Sequence, residues 1–361
     1  MIDIRIDLAD RSYDVVVGAG VLRSAADHFA GAALDRLPLF IITDENVAAV
    51  QRIALDQIQA LPVRKRVVTI PPGEGSKNIL AFSHLLDELA AFEDGDGAVV
   101  VAIGGGVVGD LGGFVAACYK RGVPWVQVPT TLLAQVDSSV GGKVAINHPT
   151  AKNLIGAFHQ PRLVLADMDT LESLPVRELR SGLAEVIKHG VIADRAFFDR
   201  VESTLPEALT LDRNVLTDYV ATSCKIKGAA VEADERDTKG RRAFLNYGHT
   251  FGHAIELAAH FRYAHGEAVA IGMACAGDLA VASDKLDKGS AARIEAVLAA
   301  AGLPTSAEGL SVDEVMAAMR LDKKFQRGQN RFVIVRKIGN VELVEGLAED
   351  RIVAVLKGRL R

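Results

Sequence analysis

The sequence predicts two domains: an α/β domain with a parallel sheet over residues 1–174, and a mostly helical domain over 175–361. Three observations carry this. Short apolar runs alternate with amphipathic segments through the first half, the pattern of a parallel sheet covered by helices on both faces. Beyond Pro175 nearly every periodic segment has helical spacing. At 361 residues the chain exceeds the size at which one core stops growing.

Taken in order, Ile2–Leu8 and Tyr13–Gly18 read as a hairpin. Leu39–Asp44 is a buried-type strand and Val47–Leu61 a helix. Arg66–Ile70 is a strand running into the loop Pro71–Lys77, and Ile79–Phe92 is an amphipathic helix. Ala98–Ile103 is continuously apolar, as in strands covered on both faces. Trp125–Val128 and Arg162–Ala166 are further strands. Arg177–Val191, Asp194–Ser203, Val215–Glu232, Ala243–Ala259, Glu267–Ser283 and Ala291–Ala301 read as helices. Two late strands, Arg331–Val335 and Val341–Val344, interrupt them.

Composition excludes several classes. The net charge of −5 gives no general affinity for nucleic acid or membrane. Cys118, Cys224 and Cys275 lie far apart without a CxxC, which argues against a disulfide framework and fits a reducing cytoplasm. Met1–Leu8 alternates like a strand and lacks the features of a signal peptide. The longest apolar stretch, Ala98–Gly109, is too short to span a bilayer.

Gly104-Gly105-Gly106-Val107-Val108-Gly109-Asp110 follows a strand and opens a helix, matching GxGxxG. Glycines allow close approach to a pyrophosphate, and a helix N-terminus favours its charge. The usual acid at the end of the next strand is missing, because that strand ends Val126-Gln127-Val128-Pro129. Asp44, with Asn46 beyond it, closes another strand and could hold a ribose if that strand neighbours the glycine strand. The loop containing Glu74 and Lys77 closes a third. Ligands of open α/β sheets bind outside the carboxyl ends of the strands, where all three loops lie.

Pro129–Lys143 is dense in hydroxyls and carries Thr130, Thr131, Asp137, Ser138 and Lys143; Lys152 and Asn153 follow. Apolar residues punctuate this stretch, so some of its polarity must be half-buried and paired. His249 and His253 are four apart and share a helix face, and His265 opens the next helix. Such a set could hold a divalent metal with one more ligand. Spacing does not choose between His253 and His265. Glu185, in a largely apolar surround, is the missing ligand type, although Glu185 and Lys188 also fit a surface ion pair. Arg121, Lys225, Lys227, Arg241, Arg242, Lys323 and Lys324 lie near these motifs in an acidic chain, which points to a local anion site.

Together these motifs resemble the 3-dehydroquinate synthase family nearly end to end. The telling runs are Gly104–Leu111, Pro129–Lys143, Lys152–Gly156, Asn246–Glu256, His265–Met273 and Asp322–Lys324. The resemblance implies a Rossmann-like first domain, a helical second domain and an active site in the interdomain cleft. It implies zinc or cobalt on Glu185, His249 and His265, leaving His253 to the substrate. NAD would lie at Asp44, Asn46, Glu74, Lys77, Gly104 to Asp110, Thr130, Thr131, Asp137, Ser138, Lys143, Lys152 and the segment Thr170-Leu171-Glu172-Ser173. Substrate contacts would be Arg121, Asp137, Lys143, Lys152, Asn153, Lys188, Lys227, Arg242, Asn246, His253 and Lys323 or Lys324. Arg241 and Lys225 are the neighbouring alternatives to Arg242 and Lys227. The implied reaction converts an anionic sugar phosphate, 3-deoxy-D-arabino-heptulosonate 7-phosphate, to 3-dehydroquinate in a cytoplasmic homodimer. A sister cyclase of the 2-deoxy-scyllo-inosose synthase type and a glycerol-type alcohol dehydrogenase are the alternatives.

Overall fold

A computed structural model gives the fold and describes residues 1–95, 97–321 and 330–361. Strands β1 (Ile2–Ile6) and β2 (Tyr13–Gly18) pair antiparallel. There follow α1 (Ala25–Gly31), β3 (Leu39–Asp44), α2 (Glu45–Val50), α3 (Arg52–Gln59), β4 (Lys65–Ile70), α4 (Ile79–Phe92), β5 (Val99–Gly104), α5 (Gly106–Cys118) and β6 (Trp125–Pro129). A hairpin of β7 (Lys143–His148) and β8 (Ala151–Phe158) precedes β9 (Leu163–Asp167). Then come α6 (Val176–Ala193), α7 (Arg195–Leu209), α8 (Arg213–Ala233), α9 (His249–Ala258), α10 (His265–Ala282), α11 (Lys288–Ala300) and α12 (Val312–Leu321). The hairpin β10 (Arg331–Lys337) and β11 (Asn340–Glu345) leads to α13 (Glu349–Arg359). Two compact units result, Met1–Pro175 with Leu211–Arg236, and Val176–Thr210 with Asp237–Arg361.

The first unit is built on a sheet ordered β1-β2-β9-β6-β5-β3-β4, parallel from β2 onward. Strand β5, paired on both edges, shows why a continuous apolar run was needed. Val99, Val101 and Ile103 pack with Phe29 and Ile58 on one face, and Val100 and Ala102 pack with Leu85 and Leu111 on the other. The chain runs from β3 outward to β4, then returns to β5 on the far side of β3, so the strand order reverses there. Such a reversal opens a crevice outside the strand ends. The ends are level: Asp44 pairs with Ile70, Thr43 with Ile103, and Gly104 with Pro129.

The hydroxyl-rich stretch folds as a π-helical turn over Ala134–Ser138. Gln135 is fully buried, and its amide nitrogen donates to the carbonyls of Pro129 (3.1 Å) and Asp167 (3.1 Å) and to Thr170 Oγ1 (3.2 Å). One side chain thus ties together the ends of β6 and β9. Helix α8 belongs to this unit although it lies in the helical half of the sequence. A Cβ on Gly228 would stand 2.5 Å from Ile6 Cδ1, so glycine permits that close packing.

In the second unit α10 is the central helix, buried along nearly its whole length. Two contacts need glycine. A Cβ on Gly266 would come within 2.1 Å of the Ser181 carbonyl on α6, and one on Gly272 within 2.0 Å of the Gly248 carbonyl before α9. Arg359 of α13 closes the other end with ion pairs to Asp278 of α10 (2.6 Å) and Glu295 of α11.

Several expectations change. The helix expected over Ala243–Ala259 is a short turn, Ala243–Asn246, followed by α9; Gly248 at φ 77° breaks it. The helix expected over Val47–Leu61 divides at Gln51, whose amide turns away to the Thr170 carbonyl and Ser173 hydroxyl, both at 2.5 Å. The β7–β8 hairpin was not expected, because β8 is exposed along almost all its length and shows no buried alternation. Helices α1, α12 and α13 were also missed. Among the described residues no helix is long and apolar enough to cross a membrane.

Replacing Gln135 with Leu removes the donor shared by three buried acceptors. The expected loss is roughly 2 kcal/mol or more, read from urea unfolding midpoints.

Candidate metal centre and cofactor edge

The second unit gathers the metal candidates. Glu185 is fully buried midway along α6, beside Ala184, Val186 and Ile187. A buried carboxylate must find a cation. The Lys188 ammonium forms an ion pair with its Oε2, and both side chains are buried, at 0% and 2% exposure. The surface ion pair expected as one reading of Glu-x-x-Lys is therefore an interior one. Among the described residues neither oxygen of Glu185 accepts a directed hydrogen bond.

Two imidazoles face the same carboxylate. His249 Nε2 stands 3.6 Å and His265 Nε2 3.8 Å from Glu185 Oε1. One ligand atom from each of the three residues lies within 4.8 Å of the others, a group able to hold a metal. The break at Gly248 makes His249 the first residue of α9, with Nδ1 3.1 Å from the Tyr247 carbonyl. Burial, followed by Lys188 and the neighbouring imidazoles, holds His249 well below the usual histidine range. It is therefore neutral near pH 7, the form a metal requires. His265 reaches Glu185 because Gly266 lies against α6, where its N–H donates to Ser181 Oγ at 3.0 Å.

His253 stands one turn beyond His249, with ring centroids 5.2 Å apart, but is exposed. Glu256, three residues further, places Oε2 3.6 Å from His265 Nδ1. The sequence reading gave Glu256 no role, although spacings of seven from His249 and three from His253 put all three on one helix face. Arg242 is buried in this unit, and Asn246 donates to the Ala243 carbonyl at 3.2 Å. Lys323 and Lys324 lie outside the described residues.

The first unit brings the strand-end candidates to one edge. Strand β3 neighbours β5, the condition under which Asp44 could serve beside the glycine turn. Asp44 Oδ1 accepts from the Val47 amide at 2.9 Å, capping α2, and Asn46 is exposed beside it. Gly105 precedes α5 without any side-chain cap, so the first amides of that helix point outward. Cβ atoms on Gly105 and Gly106 would meet Thr131 Cγ2 at 3.2 Å and Ser138 Oγ at 3.3 Å. Ser138 Oγ is buried without a hydrogen-bond partner among the described residues.

Lys77 binds Asp110 at 2.5 Å and Asn153 Oδ1, with Glu74 4.0 Å away. Burial pushes the Asp110 carboxyl up against the pull of Lys77. Asn153 adopts φ 53°, and its backbone N–H donates to Asn147 Oδ1 at 2.9 Å. On α8, Lys227 donates to both the carbonyl and Oδ1 of Asp137, each at 2.5 Å. Lys143 and Lys152 are exposed on the β7–β8 hairpin, and Arg121 is exposed after α5. Thr170 and Leu171 are buried, whereas Glu172 and Ser173 are exposed.

A family model described as 3-dehydroquinate synthase N-terminal matches residues 67–181, and one described as 3-dehydroquinate synthase C-terminal matches residues 182–325. The chain belongs to the 3-dehydroquinate synthase family. A 3-dehydroquinate synthase of Acidithiobacillus ferrooxidans is 47% identical over 337 residues, covering 93% of this chain and 92% of that one. Among solved structures, a 2-deoxy-scyllo-inosose synthase complexed with carbaglucose-6-phosphate, NAD+ and Co2+ matches with TM-score 0.89. It is 25% identical, covering 99% of this chain and 100% of that one. A 2-epi-5-epi-valiolone synthase from Streptomyces hygroscopicus, with NAD+ and Zn2+ bound, matches with TM-score 0.87. It is 27% identical, covering 99% of this chain and 98% of that one. The expected fold class, an α/β first domain and a helical second domain, is the fold of these family relatives.

Gly266→Ala places a methyl group against the Ser181 carbonyl. It is expected to force α10 from α6 at a cost of about 1–3 kcal/mol, seen as a lower unfolding temperature. Gly277→Ala, where a Cβ meets nothing within 4 Å, is the control and should be neutral or slightly stabilising.

Proposed function

We propose that this chain is a 3-dehydroquinate synthase, a carbon–oxygen lyase of aromatic biosynthesis through the shikimate and chorismate route. It converts 3-deoxy-D-arabino-heptulosonate 7-phosphate to 3-dehydroquinate and phosphate. The observation that carries the reading is the trio of buried Glu185 and His249 with partly exposed His265, in a chain matching the family over both halves. The conversion is redox-neutral: alcohol oxidation, loss of phosphate, carbonyl reduction and intramolecular aldol closure.

The residues fit both groups the family relatives bind. Two imidazoles and one carboxylate form a donor set suited to catalytic zinc or cobalt. The three glycines, the uncapped start of α5 and the orphan Ser138 hydroxyl suit a pyrophosphate. When bound, NAD supplies a hydride acceptor regenerated within each turnover, and the metal supplies Lewis acidity at adjacent oxygens.

In this reading Glu185, His249 and His265 hold the metal. Lys188 balances the buried charge of Glu185 and orients the substrate. Gly104 to Asp110 face the pyrophosphate, Asp44 and Asn46 the ribose, and Glu74, Lys77, Thr130, Thr131 and the Thr170–Ser173 segment line the cofactor. Lys152 and Asn153, with Lys323 or Lys324, hold the substrate phosphate, and Arg121 is a further substrate contact. Lys143, Arg242 and Asn246 hold carboxylate and hydroxyls, Lys227 fixes Asp137, and His253 passes a proton at the phosphate end. Anchoring an anion at both ends aligns the reacting bonds, a contribution on the order of 7 kcal/mol in favourable cases. The lysines favour an anionic substrate over glycerol. The protein is read as a cytoplasmic homodimer, supported by the family resemblance and three dispersed free cysteines.

Phosphate release from the heptulosonate phosphate with catalytic NAD is the test. Release is expected to fall at least tenfold with chelator, to return with zinc or cobalt, and to proceed without NADH accumulating. His265→Ala should lose both bound metal and activity. NADH forming in step with product would make the enzyme a dehydrogenase instead.

A further inference from the structure

Both imidazoles of the trio turn Nε2 toward Glu185, at 3.6 and 3.8 Å, which leaves the two Nδ1 atoms to be accounted for. That of His249 meets the Tyr247 carbonyl at 3.1 Å. That of His265 faces Glu256 Oε2 at 3.6 Å. We propose that Glu256 is a positioning residue: it holds His265 as the Nδ1–H tautomer, with Nε2 presented to the metal, and so sets the affinity of the centre. The inference rests on the metal reading above.

Placement is the first argument. Positions 249, 253 and 256 follow one another at spacings of four and three, so α9 presents a metal ligand, a polar neighbour and this carboxylate along a single face. Burial is the second. Glu256 is 8% exposed and sits between buried Ile255 and half-exposed Leu257 on a short apolar helix. Carboxylates are seldom buried so far without a cationic or N–H partner. The geometry of the ring is the third. An imidazole has two nitrogens at opposite edges, and a carboxylate behind one edge fixes which carries the proton. A carboxylate behind a ligating histidine also raises the basicity of the ligating nitrogen.

At 3.6 Å the pair is an ionic contact rather than a hydrogen bond. In the proposal it closes when Nε2 is engaged. The two histidines then have different supports. His249 rests on a backbone carbonyl fixed by the turn at Gly248, whereas His265, at the start of its own helix, depends on a side chain from α9.

The test uses the full chain with Glu256→Ala, Glu256→Gln and Glu256→Asp. Metal dissociation constants are measured by competition between the metal-free protein and a chromophoric chelator, with zinc and with cobalt. Glu256→Ala is expected to weaken binding about 10- to 100-fold. Glu256→Gln, which keeps an acceptor and the shape, should lose less, and Glu256→Asp should recover part of the loss. Nitrogen-15 spectra of the imidazoles should show the Nδ1–H tautomer of His265 in the wild type and a mixture in Glu256→Ala. Thermal unfolding of the metal-free proteins separates this from general damage: a drop in stability with unchanged metal affinity and tautomer overturns the proposal. Wild-type affinity in both Glu256→Ala and Glu256→Gln overturns it as well. His265→Ala in the same assay keeps the two readings apart. If that variant binds metal as the wild type does, the metal centre itself is misassigned; if it loses metal while the Glu256 variants keep it, only the role of Glu256 fails.

Discussion

The second unit depends on one buried carboxylate. Glu185 has no exposed surface, and among the described residues no directed hydrogen bond reaches its oxygens. Removing such a charge from water costs several kcal/mol unless cations and dipoles replace the solvent. The fold meets this with Lys188 on the same helix and with two imidazoles from α9 and α10. A divalent ion among these groups would convert the remaining deficit into binding energy. An isolated Lys–Glu pair would have been satisfied more cheaply at the surface, so its burial is itself a sign that a further cation belongs there.

Holding that arrangement requires three helices at unusually short separations. Gly266 lets the start of α10 lie on α6, and Gly272 lets its middle lie on the turn before α9. Gly248 ends one segment and starts the next, which makes His249 the first residue of its helix and supplies the Tyr247 carbonyl behind its ring. In the first unit the same logic works with a sheet. The order reversal between β3 and β5 brings Asp44, the glycine turn and the loop around Lys77 to one edge. The buried amide of Gln135 then holds the ends of β6 and β9 together.

Much of this was legible in the sequence. Continuous apolar strands gave the parallel sheet, and the glycine turn marked its working edge. The nature of the candidate metal donors follows from residue type, but their selection does not. His249 and His253 have the more suggestive spacing, yet His265 faces Glu185 and His253 is exposed. Helical periodicity cannot report that α10 crosses close to α6, since that contact depends on an absent Cβ. Nor could it show that a proline-free segment from Ala243 breaks at Gly248, because a glycine in a helical pattern is usually tolerated. The β7–β8 hairpin escaped for the opposite reason: its outer strand buries almost nothing, so no alternation betrays it.

The division of labour between the histidines is the central claim, and X-ray absorption of the zinc-loaded protein tests it most directly. Scattering from the metal counts imidazole rings and separates nitrogen and oxygen ligands from sulfur. The account predicts two imidazoles and oxygen donors at about 2.0–2.2 Å, with no sulfur. Three imidazoles would place His253 on the metal and contradict it, as would a single ring or any thiolate.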